Sequence, residues 1–265
     1  MSDARTPPVR DHRATARAGS FGSDADRYDR VRPGYPAAVA ADLAPRGSEL
    51  VLDIGCGTGK STALFVERGC KVLGIDPDER MASIARERGF VVEVGSFEAW
   101  EPAGRSFDVL TAGQAWHWVD PAVGPMKAAE LLVEGGILAP IWNYRFPADA
   151  DQLAAFRRIY ADLEPELVLA SPLLGTVDGD AELARHSAAI MSCAAFRSVE
   201  TRRYDWQQTY STEDWLELAR TQSDHRMLGE ERLERLLAAV AEDLEHFNRP
   251  VPVNYQSVAL VAARR

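Results

Sequence analysis

Several things are scarce in this 265-residue chain, and each scarcity removes a class of function. Its three cysteines, Cys56, Cys70 and Cys193, are odd in number and lack metal-ligand spacing. Neither a disulfide framework nor a metal site is therefore expected, and a reduced, cytoplasmic setting is the simple reading. Only Lys60, Lys71 and Lys127 among the 30 basic residues are lysine, which leaves few candidates for Schiff-base chemistry. Apolar runs are short: none approaches the roughly 18–20 residues that cross a bilayer. The N-terminus has no signal-like apolar core either, so no membrane partner is expected. Positive charge is in deficit, with a net charge of −10, which argues against a nucleic-acid backbone as the main partner.

What is present reads as an ordinary globular chain, 46% hydrophobic and 26% charged, long enough for one sizeable domain with an inserted cap. Residues 1–20 are polar and carry Pro7-Pro8, the pattern of a flexible tail. From Glu49 onward short apolar runs alternate with helical periodicity. Strands are expected at Leu50–Ile54, Lys71–Ile75, Phe90–Val94, Phe107–Ala112 and Ile137–Trp142. Helices are expected at Lys60–Arg68, Glu79–Arg88 and Pro125–Leu132. After Trp142 the rhythm gives way to helices, with two later strands at Val199–Tyr210 and Tyr255–Ala262. The expected fold is α/β: a Rossmann-like, seven-stranded, mostly parallel sheet with helices on both faces, plus a helical cap within residues 145–250. The last two strands are expected to rejoin the sheet as an antiparallel edge.

The stretch VLDIGCGTGKST, Val51 to Thr62, contains a Gly-Lys-Ser that suggests a phosphate-binding loop. Such a loop needs a glycine five positions before Gly59, where Ile54 stands. A dinucleotide fingerprint would need glycine at Lys60. The glycines that are present, Gly55, Gly57 and Gly59, follow Asp53, a carboxylate unsuited to a pyrophosphate but suited to a cationic ligand. A second acid, Asp76, ends the next strand 21 residues after Gly55, where an acid grips a ribose diol. Two acids, a backbone-lined loop and no phosphate cradle suit S-adenosylmethionine.

VLDIGCGTG followed by VLGIDPDERM resembles motifs I and II of class I S-adenosylmethionine-dependent methyltransferases. More narrowly, YDRVRPGYP, AGQAWHWVD and YSTEDWLELARTQSDHR are similar to the small-molecule branch that includes trans-aconitate methyltransferase-like proteins. The resemblance runs from about Phe21 to the C-terminus. It implies that residues 21–45 form a lid over the cofactor, residues 46–265 being the methyltransferase domain, and that Tyr28 or Arg32 meets the cofactor's carboxylate. It implies that Gly55, Gly57 and Gly59 bring backbone close to the cofactor, with Cys56 and Thr58 also cofactor-binding, that Asp53 orients its amino-acid end directly or through water, and that Asp76, with Pro77 beside it, takes the ribose. Met81 could pack on the adenine or fill the core. Ser96 stands where many relatives carry an acid, and Phe97 could be half core and half adenine wall.

Gln114, Ala115 and Trp116 follow the fourth strand and are expected on the cofactor. His117 and Trp118 continue that turn, with His117 a candidate base or a structural histidine and Tyr28 a second catalytic candidate. Tyr35, Trp142, Asn143, Tyr144 and His225 complete the expected acceptor side. Methyl transfer to a small molecule by in-line displacement is the expected reaction, yielding S-adenosylhomocysteine, in a monomer or homodimer. A non-methylating use of the cofactor, such as a cyclisation, and a cofactor-binding regulatory protein are the alternatives.

Overall fold

The computed structural model of the chain describes residues 29–175, 179–247 and 250–265. The tail and Tyr28 named above lie outside the described residues. Seven strands form one sheet: β1 (Leu50–Ile54), β2 (Lys71–Asp76), β3 (Val91–Val94), β4 (Phe107–Gly113), β5 (Leu132–Pro147), β6 (Phe196–Tyr210) and β7 (Val251–Arg264). Their order is β3-β2-β1-β4-β5-β7-β6. The first five run parallel, and β7 is antiparallel to both β5 and β6.

The last two strands rejoin the sheet as an antiparallel edge, as expected, with β7 inserted between β5 and β6 and β6 outermost. The reason is side-chain chemistry. Val258 to Ala262 is an unbroken buried run, as a strand covered on both faces requires. β6 instead alternates and carries Arg197, Glu200, Arg202 and Arg203, charges that suit an unpaired edge. β5 also runs well past the expected Trp142, because β7 continues to pair with it as far as Pro147 opposite Val253.

Alternation within each strand builds two cores. On one face Leu52, Leu110 and Leu138 pack with α4 (Gly124–Leu131) and with Leu183 and Ile190 of α7 (Gly179–Met191). On the other, Val51, Val109 and Ile141 pack with α1 (Ala37–Leu43) and α2 (Lys60–Glu67). Helix α3 (Glu79–Glu87) covers the β2–β3 end through Ala82 and Ala85.

The cap has a core of its own. Phe156 and Tyr160 of α5 (Ala150–Leu163), Trp215 and Leu218 of α8 (Thr212–Arg220), and Leu236 and Val240 of α10 (Glu230–Phe247) close over Val253 and Tyr255 of β7. Short helices α6 (Leu167–Ala170) and α9 (Ser223–Arg226) complete it. Glu164, fully buried, pairs with Arg232 and ties α5 to α10.

Candidate active site

A cleft of about 1240 Å³ opens at the carboxyl ends of β1, β2, β4 and β5. The crossovers change direction between β1 and β4, the position where open parallel sheets bind ligands. Its floor is set by the glycine loop. Gly55, Gly57 and Gly59 have φ of 63°, 56° and 89°, a region costly for side-chain-bearing residues. A Cβ on Gly55 would stand 2.5 Å from the Ala115 methyl, so glycine lets the β1 and β4 turns close on each other. On Gly59 it would strike the Phe90 ring at 2.5 Å, so this glycine serves packing against α3 and β3.

The Gly-Lys-Ser is not a phosphate cradle. The ammonium of Lys60 lies 3.8 Å from Asp29, and the Ser61 hydroxyl is buried and turned to Asp53. Asp53 itself is fully buried and accepts 2.7 Å bonds from Ser61 and Thr62 on Oδ2. Its Oδ1 has no hydrogen-bond partner among the described residues. Burial pushes its pKa up to about 6, with the two hydroxyls opposing the shift and the charge of Asp76 adding to it.

Asp76 reaches the cleft wall. Its Oδ2 accepts from the Gly57 N–H and its Oδ1 from the Asp78 N–H, both at 2.8 Å. A carboxylate oxygen retains accepting capacity after one such bond, so both oxygens can also take a hydroxyl from the cleft. Desolvation raises the Asp76 pKa, opposed by those two N–H bonds. Neither acid forms an ion pair with a described side chain, and together they make this end of the cleft favourable to a cation. Pro77, Met81, Ser96 and Phe97 continue the wall from Asp76, with Phe97 also 6.0 Å from the Trp116 ring, so it faces both cleft and core.

Beyond Ala115 the wall changes character. Gln114 adopts φ 56° and donates to the Asn143 carbonyl at 3.2 Å. Asn143 donates to the Gly34 carbonyl and accepts from Ser257, which fixes its amide. His117 and Trp118 stand side by side, their rings 4.6 Å apart and both open to the cleft. The surrounding protein desolvates His117 and pushes its pKa down to about 4, against a weaker opposing pull from Glu182. The imidazole is neutral at physiological pH and a weak base. Trp142 stacks on His186 at 5.0 Å with its Nε1 buried and unpartnered, and Tyr144 packs on Gly179, burial raising its phenol pKa. Arg32 lines the cleft and donates to Thr221 through Nε (2.9 Å to the hydroxyl) and Nη2 (2.6 Å to the carbonyl), joining the N-terminal segment to the cap.

Seven expected site residues do not line the cleft. Asp53, Cys56, Thr58 and Gly59 lie behind the loop surface; Thr58 donates to Asp29, and Cys56 is buried against Gly74, which raises its thiol pKa. Trp116 is a core residue, 3% exposed, because its one-turn helix turns it under the wall while its neighbours His117 and Trp118 face out. Tyr35 packs with α1, its hydroxyl resting against Gly113. His225 is fully buried in the cap, bonded to the Tyr160 hydroxyl at 2.7 Å and to Asp224 at 3.0 Å, so its expected place beside an acceptor is corrected to a structural one. Conversely, Arg145, Gln222 and Asp224 line the cleft and were not expected there. Their neighbours in sequence, Tyr144 and His225, were the only signal.

Comparison with known proteins identifies the segment that builds the cleft floor. Residues 51–136 match the family model described as a methyltransferase domain. An uncharacterized methyltransferase of Mycobacterium tuberculosis is 41% identical over 128 residues, 48% of this chain and 53% of that protein. A trans-aconitate 2-methyltransferase of Afipia carboxidovorans is 34% identical over 130 residues, 47% of this chain and 48% of that one. The chain therefore spans about half the length of the curated relatives it matches. A solved structure from Anaeromyxobacter dehalogenans, provisionally named a type II methyltransferase, superposes with a TM-score of 0.63 at 22% identity, covering 88% of this chain and 97% of that one. That likeness is one of fold.

Proposed function

We propose that this chain, whose residues 51–136 match a methyltransferase domain model and whose sheet has seven strands, binds S-adenosylmethionine and transfers the methyl group to a small-molecule acceptor. The observation that carries this reading is Asp76. It is an acid at the end of β2, held by two backbone N–H groups with accepting capacity facing the cleft, beside a glycine loop that has no phosphate cradle. In this reading Asp76 takes the ribose hydroxyls, and Gly55 and Gly57 admit the cofactor close to the backbone. Met81, Ser96 and Phe97 border the adenine. Asp53 acts from behind the loop, where its unpartnered Oδ1 and raised pKa suit a nearby positive charge. Arg32 meets the cofactor's carboxylate.

When bound, S-adenosylmethionine supplies an electrophilic sulfonium methyl group. The chain's own contribution is alignment and exclusion of water, and alignment alone can lower a barrier by roughly 7–11 kcal/mol. Trp118 supplies an aromatic surface at the cleft that favours a cation. His117, with a pKa near 4, is a weak proton acceptor. The cleft volume supports two occupants, since it exceeds the roughly 300–1,000 Å³ typical of single-ligand pockets.

The test is product analysis. The protein is incubated with methyl-labelled S-adenosylmethionine and fractionated small-molecule extracts, and both products are identified by mass. S-adenosylhomocysteine with an acceptor one methyl heavier is expected. Methylthioadenosine in its place would mean a cyclisation-type reaction, and binding without turnover would mean a regulatory protein.

A further inference from the structure

β5 outlasts its parallel neighbour. It pairs with β4 as far as Ile141 and with β7 as far as Pro147. Arg145 is four residues beyond Ile141, so at about 3.3 Å per residue it stands roughly 13 Å past the level where β4 ends. That places it among cap residues, away from the glycine loop and Asp76. It lines the cleft, yet its guanidinium is poorly satisfied. Nη2 makes one long bond, 3.4 Å, to Oε1 of Gln222, and Nη1 is shielded from water with no hydrogen-bond partner among the described residues. No described carboxylate forms an ion pair with it.

The other two arginines of the cleft wall are engaged differently. Arg32 is bonded twice to Thr221, and Arg203 pairs with Asp180 and donates to Gln256. Asp224, the cap carboxylate on the same wall, commits Oδ1 to the backbone N–H and ring Nδ1 of His225; its Oδ2 is buried without a partner among the described residues and makes no ion pair with Arg145. Tyr160 and Tyr210 lie within reach of the Arg145 charge, but burial keeps both phenols neutral. Arg145 is half-buried, and the cavity it borders has room for an anion that would give the unpartnered Nη1 a strong acceptor.

We propose that Arg145 anchors an oxyanion of the methyl acceptor, a carboxylate or phosphate group on a small molecule seated in the cap half of the cleft. This rests on the methyl-transfer reading and deepens it by naming the acceptor class. A guanidinium matches either group through two parallel N–H bonds, and a small turn of its terminal torsions would bring Nη1 into the cavity. The anchored group fixes the acceptor, and its nucleophilic atom can be the same group or another on the molecule.

The test uses the whole chain, wild type and Arg145→Gln, each first titrated calorimetrically with S-adenosylhomocysteine. The loaded proteins are then titrated with malonate and, separately, with inorganic phosphate, against sodium chloride of matched ionic strength. Equal S-adenosylhomocysteine affinity in the two proteins is expected. Saturable binding of one of the anions to wild type is also expected, with half-saturation moved at least about tenfold in the variant. Arg145→Lys should fall between them. Preference for malonate assigns a carboxylate, and preference for phosphate a phosphate. Anion binding unchanged in Arg145→Gln, or no binding above chloride in wild type, overturns the proposal. So does a loss of S-adenosylhomocysteine affinity in the variant, which would give the guanidinium to the cofactor's own carboxylate. If wild type fails to bind S-adenosylhomocysteine at all, the methyl-transfer reading falls first and this assignment with it.

Discussion

The two ends of the cleft are built in different ways. At the Asp76 end, the loop after β1, the acid ending β2 and the turn after β4 come from consecutive strand–helix units, and short-range bonds such as Gly57 N–H to Asp76 hold them. At the Arg145 end, a strand overhang meets cap helices across 77 positions of sequence, through one long bond to Gln222. The first end is acidic, with two carboxylates that no described cation neutralises. The second carries a guanidinium that no described carboxylate neutralises. A site that must place a cationic donor against a separate acceptor benefits from such opposite demands, because each end disfavours the other's ligand. The difference also says where change is tolerated. In the proposed reading the donor end depends on backbone geometry and few residues, whereas the acceptor end depends on which side chains the cap supplies.

Four outcomes would break or sharpen this contrast. The largest concerns Asp53. Its folded pKa, about 6, lies above the ordinary aspartate value of 3.8, so its favourable contribution is full below about pH 4 and is lost as pH rises through 6. Asp53→Asn cannot titrate. Its stability relative to wild type, without ligand, should grow by up to about 3 kcal/mol between pH 4 and pH 7 and then level off. Denaturant unfolding at several pH values checks this, and a flat difference would mean that the buried acid is not held at a cost. The same variant should bind S-adenosylmethionine more weakly.

Next is Asp76→Ala, which removes two candidate ribose bonds. A loss of S-adenosylhomocysteine affinity of about 10- to 100-fold is expected by calorimetry. Unchanged affinity would take the ribose away from β2 and dissolve the assignment of this end. A third outcome separates the two ends physically. Arg232→Ala leaves the buried Glu164 short of its main partner. Amide exchange in α5 and α10 should accelerate roughly tenfold, while S-adenosylhomocysteine affinity stays within about twofold, as expected for distant sites. Coupled loss of both would mean that the cap and the donor end are one cooperative unit.

The smallest effect belongs to His117. Because its ring is neutral above about pH 5, the pH profile of kcat/KM should have no limb near 6.5 from this group. His117→Gln should lower turnover by less than about tenfold, below the usual range for a lost general base. A limb near 6.5 that vanishes in the variant would restore it as a base.

Most of the elements at the Asp76 end were readable from the chain alone. β1, α2, β2, α3 and β4 lie within one or two residues of their expected bounds, because glycine turns and apolar alternation are local signals. Strand order near the end was harder. That β7 lies inside β6 follows from its buried run, but β6 and β7 are separated by three helices, and pairing over such distances leaves no local mark. Burial was harder to read than residue type. Trp116 and His225 belong to types that often do chemistry, yet one turn of 3₁₀ helix buries the first, and a Tyr160 hydroxyl 65 positions away claims the second. Arg145 carries no local mark in the sequence, since its one long bond, to Gln222, forms across 77 positions.

One titration tests the central reading most directly. Wild-type protein is titrated calorimetrically with S-adenosylhomocysteine and, in a separate run, with ATP and magnesium. One-to-one binding of S-adenosylhomocysteine and no heat of binding from ATP are expected, since Lys60 and Ser61 are turned away from the cleft and Asp76 faces it. Binding of ATP without S-adenosylhomocysteine would contradict it.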